Sequence, residues 1–274
     1  MAELEYKLTN DTLFKMLFVK YPDLLKRLVV KVLGLAVDAI TEFVITNPEI
    51  PPQNVGEKFC RLDINMTVNG ERVNLEVQVK NGGDYPERSL YYWARMYSSA
   101  LPSGGNYSTL PRTVQINIVD FSLFYDTKGF HSEFRSLEVT RHTALTDKMS
   151  LHYFELPKLP EITEIGADDE IALWLSAINA ETEEQLSTIK AKGGIIMEQL
   201  VDAYHSVAES NELREVMRLR ERARLDEASA LANAARKATR EIILNMHKES
   251  FSITDIVKAT KLTEQDVKDI LDVL

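Results

Sequence analysis

The stretch RLDINMTVNGERVNLEVQVKN, from Arg61 to Asn81, decides how the rest of the chain is read. Leu62, Ile64, Met66 and Val68 alternate with Asp63, Asn65 and Thr67. Beyond Asn69-Gly70, Val73, Leu75, Val77 and Val79 alternate with Arg72, Asn74, Glu76, Gln78 and Lys80. Period-two alternation on both sides of Asn-Gly predicts two antiparallel strands joined by a two-residue turn. With Asn69 and Gly70 as the loop, Val68 pairs with Glu71, Met66 with Val73, Ile64 with Leu75, Asp63 with Glu76, and Arg61 with Gln78. Opposed residues share a face, with β-carbons about 5 Å apart. One face is then apolar, and the other holds two carboxylates in contact, which destabilises a sheet unless something compensates.

On the N-terminal side, TNDTLFKMLFVKYPDLLKRLVVKVLG reads as helix. Asn10 or Asp11 is the N-cap, Tyr21-Pro22 divides the segment in two, and Gly34 ends it. AITEFVIT is a strand closed by Asn47-Pro48. After the hairpin and Gly82-Gly83 come a helix in YPERSLYYWARMYSSAL and a strand in RTVQINIVDFSLF. Two more strands are expected around Leu137–Thr143 and Leu151–Leu156, and everything from Asp168 onwards reads as helical. The order is that of an α/β layered domain over residues 1–160. A helical extension over 161–246 includes a long basic helix, and a small helix-turn-helix-like unit closes the chain at 247–274.

Composition sets limits on function. Cys60 is the one cysteine among 274 residues, which rules out a disulfide framework and fits a reducing cytoplasm. The first residues are acidic, so no signal peptide is expected there. The longest apolar runs are broken by Lys and Arg, so no membrane span is expected. The formal net charge of −10 is uneven: −1 over residues 1–130, −10 over 131–213, +4 over 214–240 and −3 over the remainder. The hairpin therefore lies in a near-neutral region, and the global charge does not exclude a nucleic-acid partner.

Two readings of the carboxylate face stand side by side. In one, Asp63 and Glu76 share a divalent cation, since a hard ion such as Mg²⁺ takes carboxylate oxygens, waters and a substrate phosphate. Gln78 and Lys80 follow on the same face of the strand and could orient a water and add positive charge. In the other, this is a solvated sheet face with Arg61 and Lys80 balancing the acids.

The layout resembles the PD-(D/E)XK phosphodiesterase superfamily, and more closely the recombination-promoting nuclease (Rpn) group, also called PD-(D/E)XK nuclease-family transposases. DTLFKMLF (Asp11–Phe18) is similar to the group's N-terminal helix motif. RLDI (Arg61–Ile64) and LEVQ (Leu75–Gln78) resemble its active-site strands, ERSLYYWARMY (Glu87–Tyr97) the helix that follows, and FELPKL (Phe154–Leu159) a later strand end. The resemblance covers most of residues 8–160 and a helical tail of the expected kind. It implies an α/β restriction-endonuclease-like core, a mixed sheet flanked by helices, followed by an all-helical extension. It also implies metal binding by Asp63 and Glu76, with Mg²⁺ or Mn²⁺ as cofactor. Gln78 stands where the wider superfamily has lysine, and an amide takes no proton near neutral pH and supplies no charge. Lys80 could substitute, about 7 Å further along the strand.

In the helix after the hairpin, Arg88, Tyr92, Arg95 and Ser99 fall on one stripe. Arg88-x-x-x-Tyr92 resembles a Gln-x-x-x-Tyr element beside the metal site of related nucleases, which implies contact of Arg88, Tyr92 and Arg95 with DNA. The competing expectation packs Leu90, Tyr91, Trp93, Ala94 and Tyr97 on the sheet and leaves the arginines in water. Asp11 is a secondary candidate, because the first helix contributes an acid in some superfamily members. The five histidines show no metal-ligand spacing, and no glycine-rich phosphate loop is present. In the tail, the arginines from Arg214 to Arg240 could line DNA or mark a solvated or self-associating helix. The last helix carries Glu264, Asp266, Asp269 and Asp272 against Lys268, which favours packing or protein contact over DNA reading. The leading expectation is a cytoplasmic Mg²⁺-dependent DNA endonuclease linked to recombination or mobile elements, with homo-oligomerisation through the C-terminal helices as an option. The alternative is a degenerate nuclease-fold module that binds DNA or a protein without cleavage.

Overall fold

The computed structural model of the chain describes residues 2–46 and 64–271, which form a six-stranded mixed sheet, helices on both of its faces, and a helical C-terminal region. Helix α1 (Asp11–Lys20) starts because the Asn10 side chain accepts from the Thr12 and Leu13 N–H groups. Tyr21 separates it from α2 (Pro22–Val32), where Pro22 occupies a first-turn position that needs no N–H. Gly34, at φ +68°, leads the chain out.

The strands are β1 (Phe43–Ile45), β2 (Ile64–Val68), β3 (Glu71–Gln78), β4 (Thr113–Val119), β5 (His131–Phe134) and β6 (Met149–Glu155), in the order β1-β2-β3-β4-β6-β5. Helix α3 (Tyr85–Ser98) connects the parallel neighbours β3 and β4, and β6 is parallel to β4. The β2–β3 turn has φ of 47° at Asn69 and 79° at Gly70, as a two-residue hairpin loop requires. Asn69 Oδ1 also accepts from the Thr41 and Glu42 N–H groups, tying the turn to the entry of β1. Ile64 pairs with Leu75, Met66 with Val73 and Val68 with Glu71, the register the turn dictates. Arg61, Leu62 and Asp63, and with them the pairing of Asp63 with Glu76, lie outside the described residues.

One face of the sheet is the main core. Leu75, Ile116, Ile118 and Phe154 meet Leu28 and Val29 of α2 and Ile171 and Leu175 of α4 (Glu170–Asn179) around a small apolar gap. The other face lies under α3 and is polar at its centre. The strand expected at Leu137–Thr143 is instead a turn. Glu138 accepts from the Arg141 N–H, His142 has φ 55°, and one isolated bridge joins Leu137 to Ala144. The edge strand beside β6 is β5, whose sequence HSEF alternates too weakly to announce itself.

The β5–β6 edge is held by a directed polar chain. Ser150 donates to Glu133 (2.8 Å) and so accepts from His152 Nε2 (2.9 Å), whose Nδ1 accepts from His131 Nε2 (3.0 Å). Burial pushes the His152 pKa down to about 4, against the pull of Glu133 and with the help of His131, Arg112 and Arg135. Since the folded-state value lies below the ordinary 6.5, the unfolded chain binds the extra proton as pH falls from 6.5 towards 4. Over that window His152 alone should remove about 3 kcal/mol of stability. Thermal melts from pH 7.5 to 4.5 test this: His152→Gln should flatten the slope, and an unchanged slope would contradict it.

The described residues fall into two compact units, the first running to Arg214 and the second taken up from Glu215. The first also holds α5 (Glu183–Ala208), broken at Gly194 (φ 61°, ψ −151°), and the start of α6 (Asn211–Lys248). In the second, the end of α6, α7 (Ile253–Thr260) and α8 (Glu264–Leu271) close around Ile243, Ile256 and Val267, each fully buried. Ser252 and Thr263 cap the two short helices, each accepting from the N–H three residues on. Along α6, Arg218 and Arg224 pair with Glu215 and Glu221 on exposed turns of the same helix. No described helix is long and apolar enough to cross a membrane.

Candidate active site

The face of the sheet under α3 carries Asn74, Glu76 and Gln78 from β3. The parallel register sets them beside Gln115, Asn117 and Val119 of β4, and these beside Leu151, Tyr153 and Glu155 of β6. A row of amides crosses this face. Asn74 donates to Asn65 (2.8 Å), Gln115 to both Asn74 (3.1 Å) and Asn117 (3.2 Å), and Asn117 to the His152 carbonyl (3.0 Å). Reversing the Gln115 amide would aim an oxygen at two acceptors, so its orientation is fixed; its Oε1 is left buried without a partner.

Helix α3 lies over the row. Tyr85, 1% exposed, donates from its hydroxyl to Asn117 Oδ1 at 3.1 Å, and Ser89 is hydrogen-bonded to the Tyr153 hydroxyl. Burial, reinforced by the charge of Glu76, holds the Tyr85 pKa well above its usual value, so the phenol keeps its proton and its donor role. Trp93 Nε1 donates to the Thr113 carbonyl (2.8 Å), and its ring stacks on Tyr97 at 5.1 Å. Leu90 and Tyr91, expected on the sheet, are 45% and 57% exposed, and Ala94 is exposed too. The inward stripe starts from Tyr85, and one helical turn from it brings Arg88 and Ser89, rather than Leu90 and Tyr91, over the strands.

Glu76 and Arg88 come together here. Arg88 Nη2 donates to Glu76 Oε1 at 3.3 Å; the side chains are 15% and 27% exposed for Glu76 and Arg88. The Arg88 guanidinium lies 4.8 Å from the Tyr85 ring centre. Gln78 ends β3, and its Nε2 donates to the Lys80 carbonyl (2.9 Å), which leaves Oε1 as the amide's acceptor. Lys80 is exposed, two residues past the strand. Tyr92 is half-buried and its ring lies 5.9 Å from that of Tyr91, whereas Arg95 is exposed. Asp11 stands in the first turn of α1, where its Oδ1 accepts from the Thr12 N–H (2.8 Å) and the capping role belongs to Asn10.

At the end of β6, Glu155 is fully buried. It accepts from the N–H groups of Leu123 (2.6 Å) and Phe124 (3.1 Å) and pairs with Lys158 at 2.7 Å. The FELPKL segment thus clamps the chain leaving β4.

A model of PD-(D/E)XK nuclease family transposases matches residues 8–234. The chain belongs to that family. The match runs from the approach to α1 into α6, so it takes in the whole sheet with α3 above it. No curated protein and no solved structure matches the chain. Members of this nuclease family usually use divalent metals. Among the described residues no group of three or more His, Cys, Asp or Glu is arranged to hold an ion. The donors on the β3 face, a carboxylate at Glu76 and an amide oxygen at Gln78, are hard oxygen ligands that suit Mg²⁺ or Mn²⁺ rather than a thiophilic metal.

Asp63, Glu76, Gln78 and Arg88 could be singled out from sequence. Tyr85, Gln115 and Asn117 were missed. The signal for the two amides was the polar alternation inside VQINIV: glutamine and asparagine at period two in a strand buried at every position.

Proposed function

We propose that this chain is a divalent-metal-dependent DNA endonuclease that hydrolyses phosphodiester bonds in recombination or the movement of mobile elements. The observation that carries the reading is Glu76, on a polar sheet face in a family of nucleases, with an arginine at its carboxylate. Extending the observed β2–β3 register by one pair beyond Ile64 and Leu75 would oppose Asp63 to Glu76. Those two carboxylates would hold the ion. When bound, Mg²⁺ or Mn²⁺ would polarise the phosphoryl group and lower the pKa of the attacking water. Gln78 would align that water through its amide oxygen, which accepts a hydrogen bond but not a proton. Lys80 would add positive charge at the strand end, and Arg88, Tyr92 and Arg95 would hold the DNA backbone. Asp11 is the acid that α1 could lend to the site.

Mn²⁺ should raise the melting temperature of the wild type and leave that of Glu76→Ala unchanged, because the ion stabilises only a state that binds it. DNA binding that persists in chelator, with no cleavage under any metal, would favour a non-catalytic nuclease-fold module instead. The single Cys60 is consistent with a cytoplasmic setting. A second copy is the partner favoured by the exposed Leu225, Leu231 and Ile242 of α6. Concentration-dependent association that survives truncation after Asn211 would count against that.

A further inference from the structure

Arg88 presents to β3 the edge of its guanidinium formed by Nε and Nη2, and that edge is half used. Nη2 makes the long 3.3 Å contact to Glu76, while Nε is buried with no hydrogen-bond partner among the described residues. A settled arginine–carboxylate pair uses both parallel N–H groups of this edge at shorter distance. The plane of the group is nevertheless fixed. It rests on the Tyr85 ring, and Tyr85 is immobilised by burial and by its hydrogen bond to Asn117, itself held by Gln115. The guanidinium is thus held firmly in plane and loosely paired at its edge.

We propose that Arg88 exchanges Glu76 for a phosphodiester. Two phosphate oxygens match the whole Nε–Nη2 edge, which Glu76 engages through one N–H only, so an incoming DNA phosphate would draw Arg88 away from the carboxylate. Glu76 would then face the divalent cation without the Arg88 charge beside it. DNA and cation binding become mutually reinforcing, and by linkage each raises the affinity of the other by the same factor. The inference rests on reading this face as a phosphodiesterase site, and it makes Tyr85 and Asn117 positioning residues for the arginine.

The test is Mn²⁺ titration followed by electron paramagnetic resonance, with and without a short phosphorothioate-linked duplex that resists cleavage. Without DNA, Arg88→Gln should bind Mn²⁺ about tenfold more tightly than the wild type, because a unit charge next to a ligand oxygen has been removed. The duplex should raise Mn²⁺ affinity in the wild type and leave Arg88→Gln unchanged. Arg88→Lys, which keeps the charge without the fork, should bind Mn²⁺ as weakly as the wild type and lose most of the gain from DNA. Mn²⁺ binding and cleavage with no dependence on residue 88 would overturn the exchange and leave the endonuclease reading intact. Absence of Mn²⁺ binding in the wild type and all variants, with no cleavage, would overturn both.

Discussion

Glu155→Ala should lower the unfolding free energy by about 3–5 kcal/mol, the usual cost of removing one partner from a buried ion pair. The carboxylate is wholly buried, and three groups depend on it: the N–H groups of Leu123 and Phe124, and the Lys158 ammonium, whose side chain is 12% exposed. Alanine leaves two donors without their acceptor, and the Lys158 ammonium with the Phe124 carbonyl but no counter-charge, in a region that water reaches poorly. Glu155→Gln keeps an oxygen for the backbone donors and should lose less. The double variant Glu155→Ala, Lys158→Met should recover part of the loss, because no charge is then left uncompensated. Urea denaturation of the four proteins measures this. A loss under about 1 kcal/mol for Glu155→Ala, or a double variant no better than the single, would contradict the account.

Glu76→Ala should reduce metal-dependent nicking by about 10²–10³-fold or more, the loss seen when one preorganised group is taken from an electrostatic site. The fold should survive, since Glu76 lies at the partly open rim of the face and its arginine partner has its own support on Tyr85. The check is the initial nicking rate against cooperative melting of the same preparation. Wild-type rates in a folded Glu76→Ala protein would remove this carboxylate from the chemistry.

The hairpin was legible because two separate signals agreed. Alternation set the faces, and Asn69-Gly70 set the register, which the structure carries from Val68–Glu71 to Ile64–Leu75. The division at Tyr21-Pro22 and the stop at Gly34 were equally local, each resting on one residue with one conformational habit. Where several residues compete for one face, sequence served less well. Helix α3 has aromatics on every side, so its inward stripe was decided by packing: Tyr85 docks on Asn117 and Ser89 on Tyr153, contacts between segments far apart in the chain. That choice turned Tyr91 outward and Arg88 towards Glu76. The edge strand β5 was invisible for a related reason. Its residues gain strand geometry from pairing with β6 and from the His131–His152 contact, while the β-branched residues near Val139 form a turn. Glu76 stood out as a candidate because a carboxylate on a β-face needs compensation. Arg88 stood out through the family resemblance, but its pairing with Glu76 did not, because helical spacing alone cannot say which residue meets which strand.

The most direct test of the endonuclease reading is cleavage of supercoiled plasmid by the purified protein in Mg²⁺, Mn²⁺ or chelator, with Asp63→Ala and Glu76→Ala alongside. The account predicts conversion to nicked or linear DNA with either metal, none in chelator, and loss in both variants while they remain folded. No cleavage by the wild type under any metal, or cleavage that persists in chelator or in both variants, would contradict it.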